Sequence, residues 1–310
     1  MKVAVHYRTR FTYDDVVTES HSELRACPTE DAFQRVSEYR VTVAPAARVI
    51  SYRDAWGTRV DAFGIRRAHL TMEVVAEAWV ETLARPLPAV TVALERAADP
   101  DFVRDHLEYL ERGRHTDWGP GVLQAARQLS DQGGTDVVGL VLAVHRFVGS
   151  RMAYVPGSTE IGVPVEEVLA RGQGVCQDYA HLAVALCRSL GVPARYVSGY
   201  LFDDGGAEPV PERVQATTHA WFEAAVPGWG WLGLDPTNGR PAGEQHVKIG
   251  HGRNYDDVLP FRGTFAGPAG SEAHAEVELR RLEPGEHHPA AIPTVVSRPA
   301  APPPAPSIDQ

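Results

Sequence analysis

Three cysteines in 310 residues are too few, and odd in number, for a disulfide framework. Cys176 and Cys187 stand eleven residues apart on an expected helix. That spacing is a rise of roughly 16 Å, against a limit of about 7 Å between bridged Cα atoms. A reduced, cytoplasmic protein is the expectation. Long apolar runs are missing too: nothing approaches the roughly 20 residues needed to span a bilayer. Residues 1–10 hold no apolar stretch, so no secretory leader is expected. Basic charge is in deficit, with 30 Lys and Arg against 40 Asp and Glu and a net charge of −10. Nucleic acid and anionic membrane attract basic surface, so neither is expected as a partner. No Asp-x-Asp-x-Asp-Gly loop offers a calcium site. The His287-His288 pair has no converging ligands. No metal and no cofactor are expected.

What is present divides along the chain. Val3, Val5, Tyr7, Phe11 and Tyr13 alternate with polar residues, as do Leu70, Met72, Val74, Ala76 and Ala78. Period two means strands. With a turn at residues 54–57, residues 1–95 read as an antiparallel β-sandwich. Helical spacing takes over in residues 101–112, and residues 137–148 are apolar on nearly every side, as in a buried helix. Residues 284–310 carry eight of the 24 prolines and read as a disordered tail.

The chemistry gathers in two pieces. Gly172-Gln-Gly-Val-Cys176 leads into an apolar helix that stops at Gly191, with Pro193 behind it. Cys176 therefore opens a buried helix, where unpaired N–H groups and the helix dipole favour a thiolate and can hold an oxyanion. Residues 216–239 read as a β-hairpin turning at Pro227-Gly228. His219, Trp221 and Glu223 share a face, as do Trp231, Gly233 and Asp235. Pairing about residue 227 sets His219 directly opposite Asp235, with Cβ atoms about 5 Å apart. A carboxylate there fixes the imidazole tautomer and stabilises the imidazolium. Each residue alone has an ordinary structural explanation; the three in this arrangement form a relay. Cys187, mid-helix among apolar residues, reads as inert core, and Cys27 has no such context. Tyr154, Gln173, Trp221 and Asp257 are secondary candidates for the cleft or the oxyanion site. Asp178 and His181 are expected to pack behind it.

Four segments carry a resemblance to the bacterial transglutaminase-like family: Gly174 to His181, Gly191 to Tyr200, Thr218 to Glu223, and Asp235 to Thr237. Residues 1–85, with Leu24-Arg25 and Gln34-Arg35, resemble the β-sandwich that precedes the core in these proteins. The resemblance implies an α+β fold. After the sandwich it implies a papain-like core, in which a buried Cys-bearing helix packs against an antiparallel sheet. Together with the changes of composition along the chain, this leads us to expect three segments: residues 1–95, a catalytic domain at 96–283, and the tail at 284–310. The resemblance also carries the roles of nucleophile, base and orienting acid to Cys176, His219 and Asp235. Asn254 replaces an acid usual in the family, which puts the charge of the cleft in question.

The expected activity is acyl transfer through a thioester, ending in hydrolysis of peptide or isopeptide bonds in a protein or peptide substrate. Transfer to an amine, as in protein cross-linking, is the alternative. A non-catalytic peptide-binding module is the rival of another class.

Overall fold

The structure, a computed structural model, describes residues 1–133, 136–205, 207, 210–216, 218–283 and 286. Apart from Glu286, the expected tail at 284–310 lies outside the described residues.

Six strands come first: β1 (Lys2–Val17), β2 (Glu19–Leu24), β3 (Gln34–Ala44), β4 (Val49–Arg53), β5 (Arg59–Ile65) and β6 (His69–Thr82). Three helices follow: α1 (Pro100–Asp105), α2 (Pro120–Gly133) and α3 (Val137–Arg151). Then come β7 (Ala153–Tyr154), α4 (Val165–Arg171), β8 (Gln173–Gly174) and α5 (Cys176–Ser189). The chain continues through β9 (Ala194–Leu201), β10 (Arg213–Ala216), β11 (Thr218–Val226), β12 (Gly230–Asp235), β13 (Arg240–Pro241) and β14 (His246–Gly252). The last described elements are β15 (Phe261–Ala266) and β16 (Ser271–Arg281). The fold is α+β, as expected.

Two sheets, ordered β10-β16-β1-β6-β3 and β15-β2-β5-β4, face each other. Their common core holds Val3, Val5, Met72 and Val74 from the alternating residues of the sequence, together with Leu24 and Ile65, while Leu70 is exposed. A third sheet, β13-β12-β11-β9-β14, carries the other half of the molecule. Alternation gives it two buried faces. Phe222, Ala224 and Leu234 pack on the core of α2 to α5. Tyr200, Val247 and Ile249 join the core of the first two sheets.

The boundary expected near residue 95 needs correction. The chain returns: β16 pairs with β1 from Val3↔Arg281 to Tyr13↔Ser271, and β15 pairs with β2. The first two sheets are therefore finished by residues 261–281. The two halves are also tied through Gln34. Its side chain donates to the Lys248 carbonyl at 2.7 Å and accepts from the Lys248 N–H at 2.8 Å.

The late strand should therefore matter to the whole. Leu279 is fully buried. Leu279→Ala is expected to lower the unfolding free energy by about 2–5 kcal/mol, read from urea denaturation.

Candidate active site

The turn before α5 is built around one carboxylate. Asp178 accepts from the Val175 N–H at 2.8 Å and from the Thr159 hydroxyl at 2.6 Å. A Cβ on Gly174 would lie 2.7 Å from the Asp178 Oδ2, so only glycine fits there. The N–H groups of Cys176 and Gln177 then stand at the first helical positions, where no intrahelical carbonyl reaches them. Cys176 is half-buried; Cys27 and Cys187 are buried. Burial pushes the Cys187 thiol up to about 12 and the Cys27 thiol up to about 11, which keeps both protonated.

β11 brings His219 to this helix end. The hairpin register differs from the expected one by two residues. Phe222 pairs with Leu234 and Glu223 with Gly233, which centres the turn on Gly228. Asp235 is thus diagonal to His219, not opposite it. An even shift keeps both on one face. The His219 Nε2 donates to the Asp235 Oδ2 at 2.8 Å. This sets the proton on Nε2 and leaves Nδ1 open, with Cys176 near enough to raise the pKa of the ring.

Asp235 has no exposure to solvent. Besides His219, its Oδ2 accepts from His246 Nε2 at 3.1 Å and Asn238 Nδ2 at 2.8 Å. Its Oδ1 accepts from the N–H groups of Thr237 and Asn238 at 3.0 and 3.2 Å. Burial alone would raise this carboxyl, but the histidine hydrogen bonds outweigh it and hold Asp235 well below the usual carboxylate range. Burial pulls His219 down, yet the bond to Asp235 and the contact with Cys176 win, and its pKa rises from 6.5 to about 9. His246 goes the other way: burial lowers it more than Asp235 raises it.

His219, Asp235 and His246 place one ligand atom each within 4.8 Å of one another, the only such group among the described residues. The donor types suit zinc. The protons do not. His246 Nδ1 accepts from the Gly243 N–H at 3.1 Å, so its Nε2 carries hydrogen and donates to Asp235. This is a hydrogen-bonded cluster rather than a ligand set.

The secondary candidates separate. Tyr154 lines a cleft of about 430 Å³ with Asp203, Gln215, His219 and Asn238. Trp221 does not: it is buried, its ring stacked beneath His219 with centroids 6.1 Å apart. Its room comes from Gly199, where a Cβ would sit 2.6 Å from the indole. Gln173 is exposed on β8, outside that cleft. Asp257 binds Arg253 at 3.1 Å and is likewise outside the cleft. Asn254 is buried and caps the turn at Tyr255–Asp257, accepting from the Asp256 N–H at 2.9 Å. It shapes that turn and is not among the residues that line the cleft. His181 does pack behind the site, accepting from the Tyr255 N–H at 3.1 Å. Sequence reasoning missed His246, Asn238 and Tyr255. Asn238, three residues beyond Asp235 in a turn, was the one with a local signal.

A larger cavity, about 740 Å³, is lined by β2, β5 and β15 and includes none of the residues around Cys176.

Residues 124–236 match the model of the transglutaminase-like superfamily, and residues 3–81 match the bacterial transglutaminase-like N-terminal region. The chain is 32% identical over 281 residues to an uncharacterized protein of Mycobacterium leprae, covering 91% of this chain and 99% of that one. The chain belongs to the transglutaminase-like superfamily. An uncharacterized protein of Mycobacterium tuberculosis is 34% identical over 280 residues, covering 84% of this chain and 86% of that one. Over 67 residues, 21% of this chain and 10% of the other, it is 39% identical to a protein-glutamine gamma-glutamyltransferase of Pseudomonas aeruginosa. The solved structure of a putative cysteine protease from Cytophaga hutchinsonii shares the fold. Its TM-score is 0.68 at 24% identity, over 89% of this chain and 90% of that one. The cysteine-dependent catalytic fold of this superfamily is thus the frame for the cluster at Cys176.

The raised His219 gives a signed expectation. A raised pKa stabilises the fold fully below about pH 6.5, and the contribution fades as the pH climbs through about 9. In urea unfolding, the gap between the wild type and His219→Gln should be on the order of a few kcal/mol at pH 6 and should shrink towards pH 10. Asp235→Asn should bring the His219 titration, followed by imidazole nitrogen shifts, well down from its wild-type position.

Proposed function

We propose that the protein is a cysteine amidase that hydrolyses peptide or isopeptide bonds through a thioester. One observation carries the reading: His219 gives its Nε2 hydrogen to Asp235 at 2.8 Å, which leaves Nδ1 open, and Cys176 is near enough to raise the pKa of the ring. That is the division of labour an acyl-transfer relay needs. The Cys176 thiolate attacks the amide carbon. N–H groups at the start of α5 receive the oxyanion. The His219 imidazolium gives its proton to the leaving amine as the C–N bond breaks, and a thioester remains on Cys176. Water attacks the thioester, His219 takes one of its protons, and the acid leaves as the thiolate re-forms. Asp235 keeps its charge throughout.

A second reading has one observation behind it. Asp203 and Tyr154 lie in the cleft with His219. A carboxylate beside an aromatic ring suits a lysine ammonium, which would make an amine the acceptor. Asp203 already faces Arg240 at 3.9 Å, which reduces that attraction. Trp231 and Glu223 give no support. Trp231 lies under Arg195, and Glu223 is buried between Arg195 and Lys248. Hydrolysis is therefore the reading we adopt. Three free cysteines fit a reducing compartment, and no helix among the described residues is long and apolar enough to cross a membrane.

The test offers an acyl-donor peptide with a primary amine at millimolar concentration and resolves the products by mass spectrometry. Acid product, a thioester adduct on Cys176, and no turnover by a folded Cys176→Ala protein are expected. Amide product in excess would establish transfer. Turnover by Cys176→Ala would overturn the relay.

A further inference from the structure

The first two sheets do not close along their whole length. In β15, Arg262 to Ala266 are exposed without alternation, and in β16 so are Ser271 to Glu276. Burial resumes only at Val277. The sandwich is filled at one end and splayed at the other. The splayed end holds a cavity of about 510 Å³. Such a volume is in the range of ligand sites, roughly 300–1,000 Å³.

No charged side chain lines it. Phe11 and Phe261 meet across it with centroids 4.7 Å apart, and Tyr13 and Phe265 meet at 5.1 Å. Two of its hydroxyls are engaged elsewhere: Thr9 donates to the His274 carbonyl at 3.4 Å, and Ser20 bonds His69 at 3.3 Å. Most of what the cavity offers a ligand is ring and methyl surface. Small residues on β16, Ala273 and Ala275, leave the space empty.

The cavity reaches the catalytic cluster. Thr218, the residue before His219, lines it, and so does Tyr255. Tyr255 and Cys176 pack on one small cluster with Tyr196 and Ala220. Tyr255 thus joins the cavity to the surroundings of Cys176. His219 itself lines the polar cleft with Asp203, Gln215 and Asn238. Apolar and polar surface therefore both adjoin residues of the cluster.

The geometry points to the cavity between the two sheets as the site for a large apolar side chain of the acyl donor. The substrate is then a peptide or protein with an aromatic or branched aliphatic residue near the amide it presents to Cys176. This inference rests on the amidase reading, and the test separates the two.

The probes are acetylated, amidated heptapeptides of Gly and Ser, with a single Phe moved through every position. Binding is measured calorimetrically to the full chain carrying Cys176→Ala. Burial of one Phe should tighten binding about tenfold or more at one or two neighbouring positions. Adding Ala275→Trp, which fills the cavity, should remove that gain. Ser271→Trp, on the same strand face, serves if the first variant melts early. Equal binding for every Phe position, or a gain that survives both tryptophans, overturns the inference. Wild-type turnover is read on the same peptides. Phe-dependent binding without any turnover sinks the amidase reading and keeps the cavity. Turnover indifferent to Phe placement keeps the amidase and sinks the cavity.

Discussion

A carboxylate with no access to water must be held by donors, or it takes up a proton. Asp235 is such a carboxylate, and five donors converge on it. They come from β11, from β14 and from the turn that follows β12. Even its carbonyl is held, by His145 of α3 at 3.0 Å. Meeting the needs of one buried charge thus fixes three strands and a helix relative to each other. The tautomer of His219 follows from that arrangement, and the environment of Cys176 follows from His219.

A second buried charge does similar work on the same sheet face. Glu223 accepts from Lys248 at 2.6 Å and from Arg195 at 2.7 Å. Burial lowers Lys248 to about 8, and the two cations hold Glu223 well below its ordinary range despite its burial. Removing Glu223 would strand the buried Lys248 charge, which costs several kcal/mol. Lys248 also receives Gln34 from β3 on its backbone. The first sheet is thereby coupled to the sheet that carries the relay.

Local patterns in the sequence disclosed what local physics determines. Period-two alternation revealed β1 and β6, because one face of each meets a core. Gly191 and Pro193 marked the end of α5, and the Gly-flanked Cys176 marked its start. The hairpin was legible, but its register was two residues off, since Pro227, Gly228 and Trp229 all occupy the turn. His246 and Tyr255 were not legible. Each reaches the site through a tertiary neighbour, Asp235 in one case and the Cys176 cluster in the other, and neither has a spacing that announces it. The return of β15 and β16 was hidden for the same reason. Pairing between residues about 270 positions apart leaves no trace in a local window. Trp221 and Asp257 carried suitable chemistry but were claimed by the floor beneath His219 and by Arg253.

The closing of the first sheet by β16 bears on how the chain is made. β1 to β6 emerge early from the ribosome, yet the partner for the free edge of β1 begins at Ser271, roughly 190 residues after β6 ends. At ordinary elongation speeds that gap is about 10–40 s. Throughout it, a long strand presents an unpaired row of N–H and carbonyl groups, the kind of edge that recruits strands from other chains. The nascent protein therefore passes through a sticky interval that only its last strand ends. Cys176, His219 and Asp235 are all synthesised before the sheet they lean on is complete.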